Sequence, residues 1–107
     1  MLSRRRQKGE KAMKNVNDFP ATAVAYNMNT QTVSATMDLG RGYPKPIAVT
    51  VPIKALNELT TLDTKGMFAG SHVLSEERKV IFKNARYTHS DLNGSVYYYE
   101  ADSIELV

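Results

Sequence analysis

The feature that most limits the fold of this 107-residue chain is an alternation of apolar and polar residues near its middle. The apolar members occupy every second position and are Val33, Ala35, Met37 and Leu39. Because side chains alternate across a strand, this pattern predicts a half-buried antiparallel strand. A second alternation, at Ile47, Val49 and Val51, predicts a neighbouring strand that ends at Pro52. The core residues predicted from the two strands are Val33, Met37, Leu39, Ile47, Val49 and Val51.

Short runs rich in Val, Thr and Tyr fill most of the remaining chain, separated by Gly, Pro and Asn. An early strand is expected to carry Tyr26 on the same face as Thr22 and Val24 and to turn at residues 27–29. Later strands are expected over Met67 to Leu74 and over Arg78 to Tyr87. The Leu92-Asn93-Gly94 sequence predicts a hairpin that turns the last of these back against residues 95–105.

One segment has helical rather than strand spacing. Apolar residues recur there at every third position, at Ile53, Leu56, Leu59 and Leu62. This spacing predicts a short helix or 3₁₀ segment. Together the patterns predict a mainly β fold, a small five- to six-stranded antiparallel barrel of OB-like type with one short helix or 3₁₀ segment. A two-sheet sandwich is the alternative.

The excess positive charge lies in the first twelve residues. Residues 1–12 carry five basic residues and one acidic residue, a net charge of +4, whereas residues 13–107 carry nine basic and ten acidic residues, a net charge of −1. We expect residues 1–12 to be a disordered basic arm and residues 13–107 to be a single β-barrel domain. A further hypothesis is that translation begins at Met13, because Lys8-Gly9-Glu10 can be encoded by a purine-rich, bacterial-type ribosome-binding sequence. A peptide covering residues 2–8 in the native protein would contradict that hypothesis.

The residues that most catalytic sites require are sparse in this sequence. Cysteine is absent, which removes disulfides, thiolate metal sites and cysteine nucleophiles. His89 and Asp91 would supply two metal ligands with no third at a recognisable spacing, and Ser71 next to His72 lacks the glycines of a nucleophile elbow. No apolar run approaches the roughly 20 residues of a membrane helix. We therefore expect a protein without enzymatic activity, cofactor, metal or membrane span.

The loop between the two central strands combines two cations with an aromatic ring. Arg41, Tyr43 and Lys45 lie among glycines and prolines that end the ladder. Cations neutralise phosphates and a tyrosine ring offers a stacking surface to a base, so these residues are candidates for binding single-stranded nucleic acid. The alternative is that Tyr43 packs against the rim of the barrel or against a partner subunit.

Around this loop the sequence resembles a known family. Asp38-Leu39-Gly40, two further residues and Tyr43-Pro44, followed by the alternation at Ile47, Val49 and Val51, resemble the gene V type single-stranded DNA-binding proteins of filamentous bacteriophages. The resemblance implies an OB-like barrel, a homodimer, and coating of single-stranded phage DNA in the bacterial cytoplasm, with some binding to messenger RNA. It implies that Tyr43 lies near the DNA, and it makes Phe68, after Gly66-Met67, the counterpart of a family aromatic residue.

Two features differ from that family. The stretch from Tyr26 to Thr36 is shorter than the family's arginine-rich wing and has no basic residue, so Tyr26 would stack bases without phosphate contacts beside it. The net charge of −1 over residues 13–107 is also low for a protein that coats DNA. Lys79, Lys83 and Arg86 are candidates for further phosphate contacts or, alternatively, for a solvated outer face.

The sequence therefore predicts a single-stranded DNA-binding protein of a phage or mobile element. The predicted nucleic-acid-binding residues are Tyr26, Arg41, Tyr43, Lys45 and Phe68, with further phosphate contacts at Lys79, Lys83 and Arg86. The alternative function is a small protein-binding β-barrel of a phage or plasmid, either a virion component or an inhibitor of a host factor. That protein would use the tyrosines at positions 97, 98 and 99 as its interface. Because residues alternate along a strand, Tyr97 and Tyr99 are expected on one face and Tyr98 on the other.

Overall fold

The structure is a computed structural model that describes residues 18–38 and 44–107. Its elements in chain order are β1 Phe19–Asn27, β2 Thr32–Asp38, β3 Pro44–Thr50, α1 Ile53–Leu56, a 3₁₀ helix Leu59–Thr61, β4 Thr64–Phe68, β5 Ser71–Lys83, β6 Arg86–Ser90, β7 Tyr97–Glu100 and β8 Ser103–Leu106. The mainly β fold with one short helix agrees with the prediction. The described residues form eight strands rather than the predicted five or six. The basic arm, Arg41 and Tyr43 lie outside the described residues.

β1, β2 and β3 form an antiparallel meander. The predicted turn after β1 is confirmed, and Asn27 holds it, because its Oδ1 atom accepts hydrogen bonds from the backbone N–H groups of Asn29 at 2.9 Å and Thr30 at 3.1 Å. Further along the meander, Val33 of β2 pairs with Val49 of β3, and both are fully buried. The period-two alternation therefore gives the buried face that it predicts.

The core lies on this face of the meander. Four of the six predicted core residues are buried, namely Val33, Ile47, Val49 and Val51. Met37 is half-buried and packs against the core, and Leu39 lies outside the described residues. The largest fully buried side chains come from later elements, with Leu56 from α1, Leu59 from the 3₁₀ helix and Phe82 from β5.

The segment after the 3₁₀ helix differs from the prediction. A single strand over Met67 to Leu74 is wrong, because the chain turns between β4 and β5 at Ala69 and Gly70. Both residues have positive φ angles, 52° at Ala69 and 85° at Gly70. Glycine adopts this region without steric cost, so Gly70 is suited to the turn.

β5 is one continuous strand of 13 residues where a break was expected near residues 75–77. Ala23 of β1 pairs with Arg78 of β5, and Ala25 pairs with Val73. Residues 74–77 therefore lie opposite a single residue of β1. This irregularity accommodates the polar Ser-Glu-Glu sequence within the strand, as a bulge rather than a loop.

All eight strands belong to one hydrogen-bonded sheet rather than to two. The path of paired strands is β4–β5–β1–β2–β3–β7–β6, and β8 pairs with β5 outside this path. The pairing of β3 with β7 is parallel, and the other pairings are antiparallel. The path of this sheet is open, so the structure supports the predicted fold only as a mainly β sheet.

The helical segment covers the core as its spacing predicts. Leu56 and Leu59 are fully buried, and Leu62 is half-buried against the core. Ile53 departs from the pattern, because 48% of it is exposed at the first residue of α1. Within the described ranges, no helix has the length and apolar character needed to cross a membrane.

Candidate nucleic-acid interface

Lys45 is the member of the predicted binding loop that lies within the described residues. It lies near the start of β3, and its ammonium nitrogen lies over the ring of Tyr97 in β7, 4.4 Å from the ring centroid. The same nitrogen donates a hydrogen bond to the backbone carbonyl of Gly94. Lys45 therefore combines a cation–π contact with an anchor on the turn between β6 and β7.

The hairpin predicted at Leu92-Asn93-Gly94 is present between β6 and β7, and its turn is held by its own hydrogen bonds. The carboxylate of Asp91 accepts hydrogen bonds from the backbone N–H of Val96 at 3.0 Å and from the hydroxyl of Ser95 at 2.8 Å. These bonds hold the pKa of Asp91 below its ordinary value, the backbone bond from Val96 having the larger effect. Gly94 has a φ of 70°, a conformation that favours glycine. The carbonyl that accepts from Lys45 is thus part of an ordered turn.

Next to Lys45, three tyrosines form one aromatic cluster on a single face of the β6–β7 hairpin. The ring centroid of Tyr87 lies 5.9 Å from that of Tyr97 and 5.6 Å from that of Tyr99, both in edge-on geometry. Phe19 contacts Tyr99 at 5.1 Å and the buried Phe82 at 5.7 Å. Burial raises the pKa of Tyr99 above its ordinary value. The cluster therefore extends from the core to Tyr87, which is 56% exposed.

Tyr98 points to the opposite face of the same hairpin, which confirms the predicted alternation. Its ring stacks on that of His89 with a centroid distance of 4.5 Å and an interplanar angle of 8°. The hydroxyl of Thr88 donates to the backbone carbonyl of Tyr98 at 3.0 Å. The tyrosines at positions 97, 98 and 99 thus do not form one continuous patch.

Tyr87 was not among the predicted site residues, and the reason is a β-bulge. Tyr87 pairs with Tyr99, but His89 pairs with Tyr98, so Thr88 is an extra residue in β6. A regular hairpin counted back from the Ser90–Tyr97 pair would place Tyr87 opposite Glu100. The bulge moves Tyr87 to the face of Tyr97 and Tyr99, and the sequence carries no signal for that shift.

The structure does not bring Tyr26 to the surface. Tyr26 is only 5% exposed, and its ring stacks on that of His72 with a centroid distance of 5.1 Å. Val24 is an extra residue of β1, because Ala23 pairs with Ala35 of β2 whereas Ala25 pairs with Ser34. This bulge shifts Tyr26 to the face that contains the core. A buried ring offers no surface to a base, so the prediction that Tyr26 stacks bases is not retained.

Phe68 is exposed but belongs to a different part of the sheet. It is the last residue of β4, with 77% of its surface exposed, next to Met67 at 63%. β4 begins the path of paired strands and β6 ends it. The pairings therefore do not join Phe68 to the tyrosine cluster.

Two of the three predicted phosphate contacts already face carboxylates. Lys83 lies 3.2 Å from Asp18 and 3.6 Å from Glu105. The hydrogen bond to Asp18 raises the pKa of Lys83 above its ordinary value. Lys79, the third, is exposed.

Arg86 is similarly engaged. Its guanidinium lies 3.3 Å from Asp102 and 3.6 Å from Glu100. Both contacts are on the outer surface, where an ion pair contributes little to stability. Because nearby carboxylates neutralise part of their positive charge, Lys83 and Arg86 attract a phosphate less strongly than unpaired cations would.

The carboxylates of Asp18 and Asp102 both contact Asn84, and this predicts a weakening of the fold in acid. The backbone N–H of Asn84 lowers the pKa of Asp18, and its side chain lowers the pKa of Asp102, in each case from 3.8. A carboxyl group whose pKa is lowered in the folded state stabilises the fold when the pH is above its unfolded-state pKa of 3.8. This stabilisation is lost as the pH falls from 3.8 through the folded-state pKa.

We expect Asp102→Asn to melt at a lower temperature than wild type at about pH 6, and the difference to shrink as the pH falls below 3.8. Thermal melts over this range measure the effect. A difference that stays constant across the range would contradict it.

Within residues 18–38 and 44–107, no three His, Cys, Asp or Glu side chains lie together in a position to hold a metal ion. The arrangement of Lys45 and the tyrosines supplies a cation and aromatic rings, which can contact an anion and a flat ring. A scan against protein-family models and searches of the curated proteins and of the solved structures found no match to this chain.

Proposed function

We propose that this chain is a non-enzymatic, homodimeric single-stranded DNA-binding protein that coats the DNA of a phage or related mobile element during replication in a bacterial cytoplasm. The observation that carries the proposal is the Lys45 ammonium group over the ring of Tyr97, 4.4 Å from its centroid. A cation beside aromatic rings is the combination that holds a phosphate next to a stacked base. The phage, the dimer and the coating role are supported by the resemblance around Tyr43.

The position of Lys45 in the chain supports the same proposal. Lys45 follows Tyr43 by two residues and Arg41 by four. All three residues therefore belong to the connection from β2 to β3 or to the start of β3. A nucleic acid strand bound at this end of β3 would meet two cations and a tyrosine from one short segment.

The order of strand pairing supports an OB-like barrel as part of the proposal. Such barrels bind oligonucleotides on their second and third strands and on neighbouring loops. Here β1, β2 and β3 form a meander, β3 is followed by α1 and pairs in parallel with β7, and β5 pairs with β1. Only Ala101 and Asp102 separate β7, which pairs with β3, from β8, which pairs with β5. This short connection between the partners of β3 and β5 supports the barrel part of the proposal.

The test is a fluorescence titration of the full chain with oligo-dT at about 50 mM salt. We expect the double variant Arg41→Ala with Tyr43→Ala to bind at least about tenfold more weakly than wild type, because it loses one phosphate contact and one stacked ring. The basic arm is present in both proteins, so the difference reports on the loop alone.

Lys54→Ala is the matched control, because it also removes one positive charge, from an exposed lysine on α1, which follows the opposite end of β3. Its affinity should stay within about twofold of wild type, the effect of one screened surface charge. A wild-type protein that does not bind oligo-dT, or a double variant that binds as wild type does, would reject the function.

A protein-binding role is the second candidate, and one observation favours it. Met67 and Phe68 are adjacent and exposed at 63% and 77% on β4, an edge strand of the sheet. Exposed apolar residues at a sheet edge are typical of contacts with another chain. This candidate predicts a bacterial partner that stays bound after nuclease and high salt and is lost when both residues are replaced by alanine.

A further inference from the structure

The tyrosine cluster of the β6–β7 hairpin is supported from within the protein and open at one end. Tyr99 contacts Phe19, and Phe19 contacts Phe82, which is completely buried. Tyr87 touches Tyr97 and Tyr99 by edge-on contacts, yet 56% of it remains exposed. An aromatic ring that is fixed on one side and exposed on the other can bind a flat ligand with little loss of side-chain freedom.

The positive charge of Lys45 near this cluster favours a ligand that carries a negative group. Lys45 places an ammonium group over Tyr97, on the same face as Tyr87. An ammonium group has three donors, so the bond to the carbonyl of Gly94 leaves donors for an anion. Arg86 lies on the opposite face with Glu100 and Asp102. A planar ring with a negative group beside it, as in a nucleotide, complements the face that contains Lys45.

We propose that the face formed by Lys45, Tyr87, Tyr97 and Tyr99, the tyrosine face, is a second contact for single-stranded nucleic acid, in which an unpaired base stacks on Tyr87 and Lys45 binds an adjoining phosphate. This inference rests on the proposed function and extends it from the β2–β3 connection to the β6–β7 hairpin. Lys45 belongs to both contacts, since it follows Tyr43 by two residues and touches Tyr97. The bound strand then runs from the β2–β3 connection across β7 to β6.

Titration of the full chain with oligo-dT tests the tyrosine face through three variants of one hairpin. Tyr87→Ala is expected to weaken binding about 5- to 150-fold, the range for loss of one stacked base. Tyr87→Phe keeps the ring and should restore most of the affinity. Tyr98→Ala removes a tyrosine from the opposite face and should bind as wild type does. Thermal melts of each variant measure folding independently of binding.

Photocrosslinking supplies a readout that does not depend on a variant. An oligo-dT with one 5-iododeoxyuridine, bound to the wild-type protein and irradiated, should attach to the peptide that contains Tyr87. Mass spectrometry identifies the attached residue. Attachment only to residues outside the tyrosine face would overturn the inference.

The outcomes separate this inference from the function on which it rests. If the wild-type protein does not bind oligo-dT, the proposed function fails. If wild type binds and Tyr87→Ala binds equally well, only the tyrosine face is rejected as a contact for nucleic acid. The same conclusion holds if Tyr87→Ala keeps its affinity for oligo-dT but no longer forms a dimer. Equal weakening by Tyr98→Ala would also reject it, because the effect would then come from the hairpin as a whole.

Discussion

Replacing Phe82 by alanine is expected to lower the free energy of unfolding by about 3–5 kcal/mol. The side chain is fully buried in the core, and its ring contacts Phe19 at a centroid distance of 5.7 Å. Its loss removes a large apolar surface and leaves a cavity that rigid neighbouring strands fill only in part. Because the total stability of a small domain is typically about 5–15 kcal/mol, the variant should be close to unfolding.

Urea unfolding followed by circular dichroism measures this loss as a lower midpoint with an unchanged slope. Phe68→Ala is the matched control, because it makes the same chemical change at a residue that is 77% exposed. We expect the control to change the free energy of unfolding by no more than about 0.5 kcal/mol. Equal effects at the two positions would show that Phe82 does not lie in the core.

Leu56→Ala should be the next most damaging change, with a loss of about 2–5 kcal/mol in the free energy of unfolding. α1 has four residues, too few to be stable as an isolated helix. It is therefore held by its buried side chains, and Leu56 is fully buried. Removing this side chain should leave a cavity and also loosen the helix from the sheet.

Ile53→Ala gives the comparison within the same helix. Ile53 belongs to the same every-third-residue pattern as Leu56, but it is 48% exposed. Its replacement should cost less than about 1 kcal/mol in the same urea experiment, since little apolar surface is lost from the core. A larger loss at Ile53 than at Leu56 would contradict the observed orientation of α1.

Much of the fold follows from local patterns in the sequence. The alternation through β2 and β3 predicts which residues are buried, because a regular strand repeats every two residues. Asn27 and the Asn93-Gly94 pair predict turns. Asn side chains accept hydrogen bonds from the nearby backbone, and Gly adopts positive φ angles without steric cost. The same local reasoning assigned the turn at Ala69 and Gly70 to a strand, because the apolar residues on both sides of Gly70-Ser71-His72 favour one.

The candidate site was less predictable, because two bulges change which residues share a face. The extra residue Val24 in β1 moves Tyr26 into the core, and the extra residue Thr88 in β6 moves Tyr87 beside Tyr97. A shift of one residue reverses every side chain beyond it, so a rule based on period two fails after a bulge. The pairing with residues of the neighbouring strand shows where each shift occurs.

The sequence by itself determined that the chain is mainly β, which faces of β2 and β3 are apolar, and that a short helical segment covers the core. These properties depend on the spacing of apolar residues and on turn residues, which act over a few positions. Only the tertiary structure decided that Lys83 and Arg86 pair with carboxylates, that Tyr26 is buried, and that Tyr87 joins Lys45 at one surface. Those contacts join residues far apart in the chain, and they depend on strand order and bulges that no local pattern encodes.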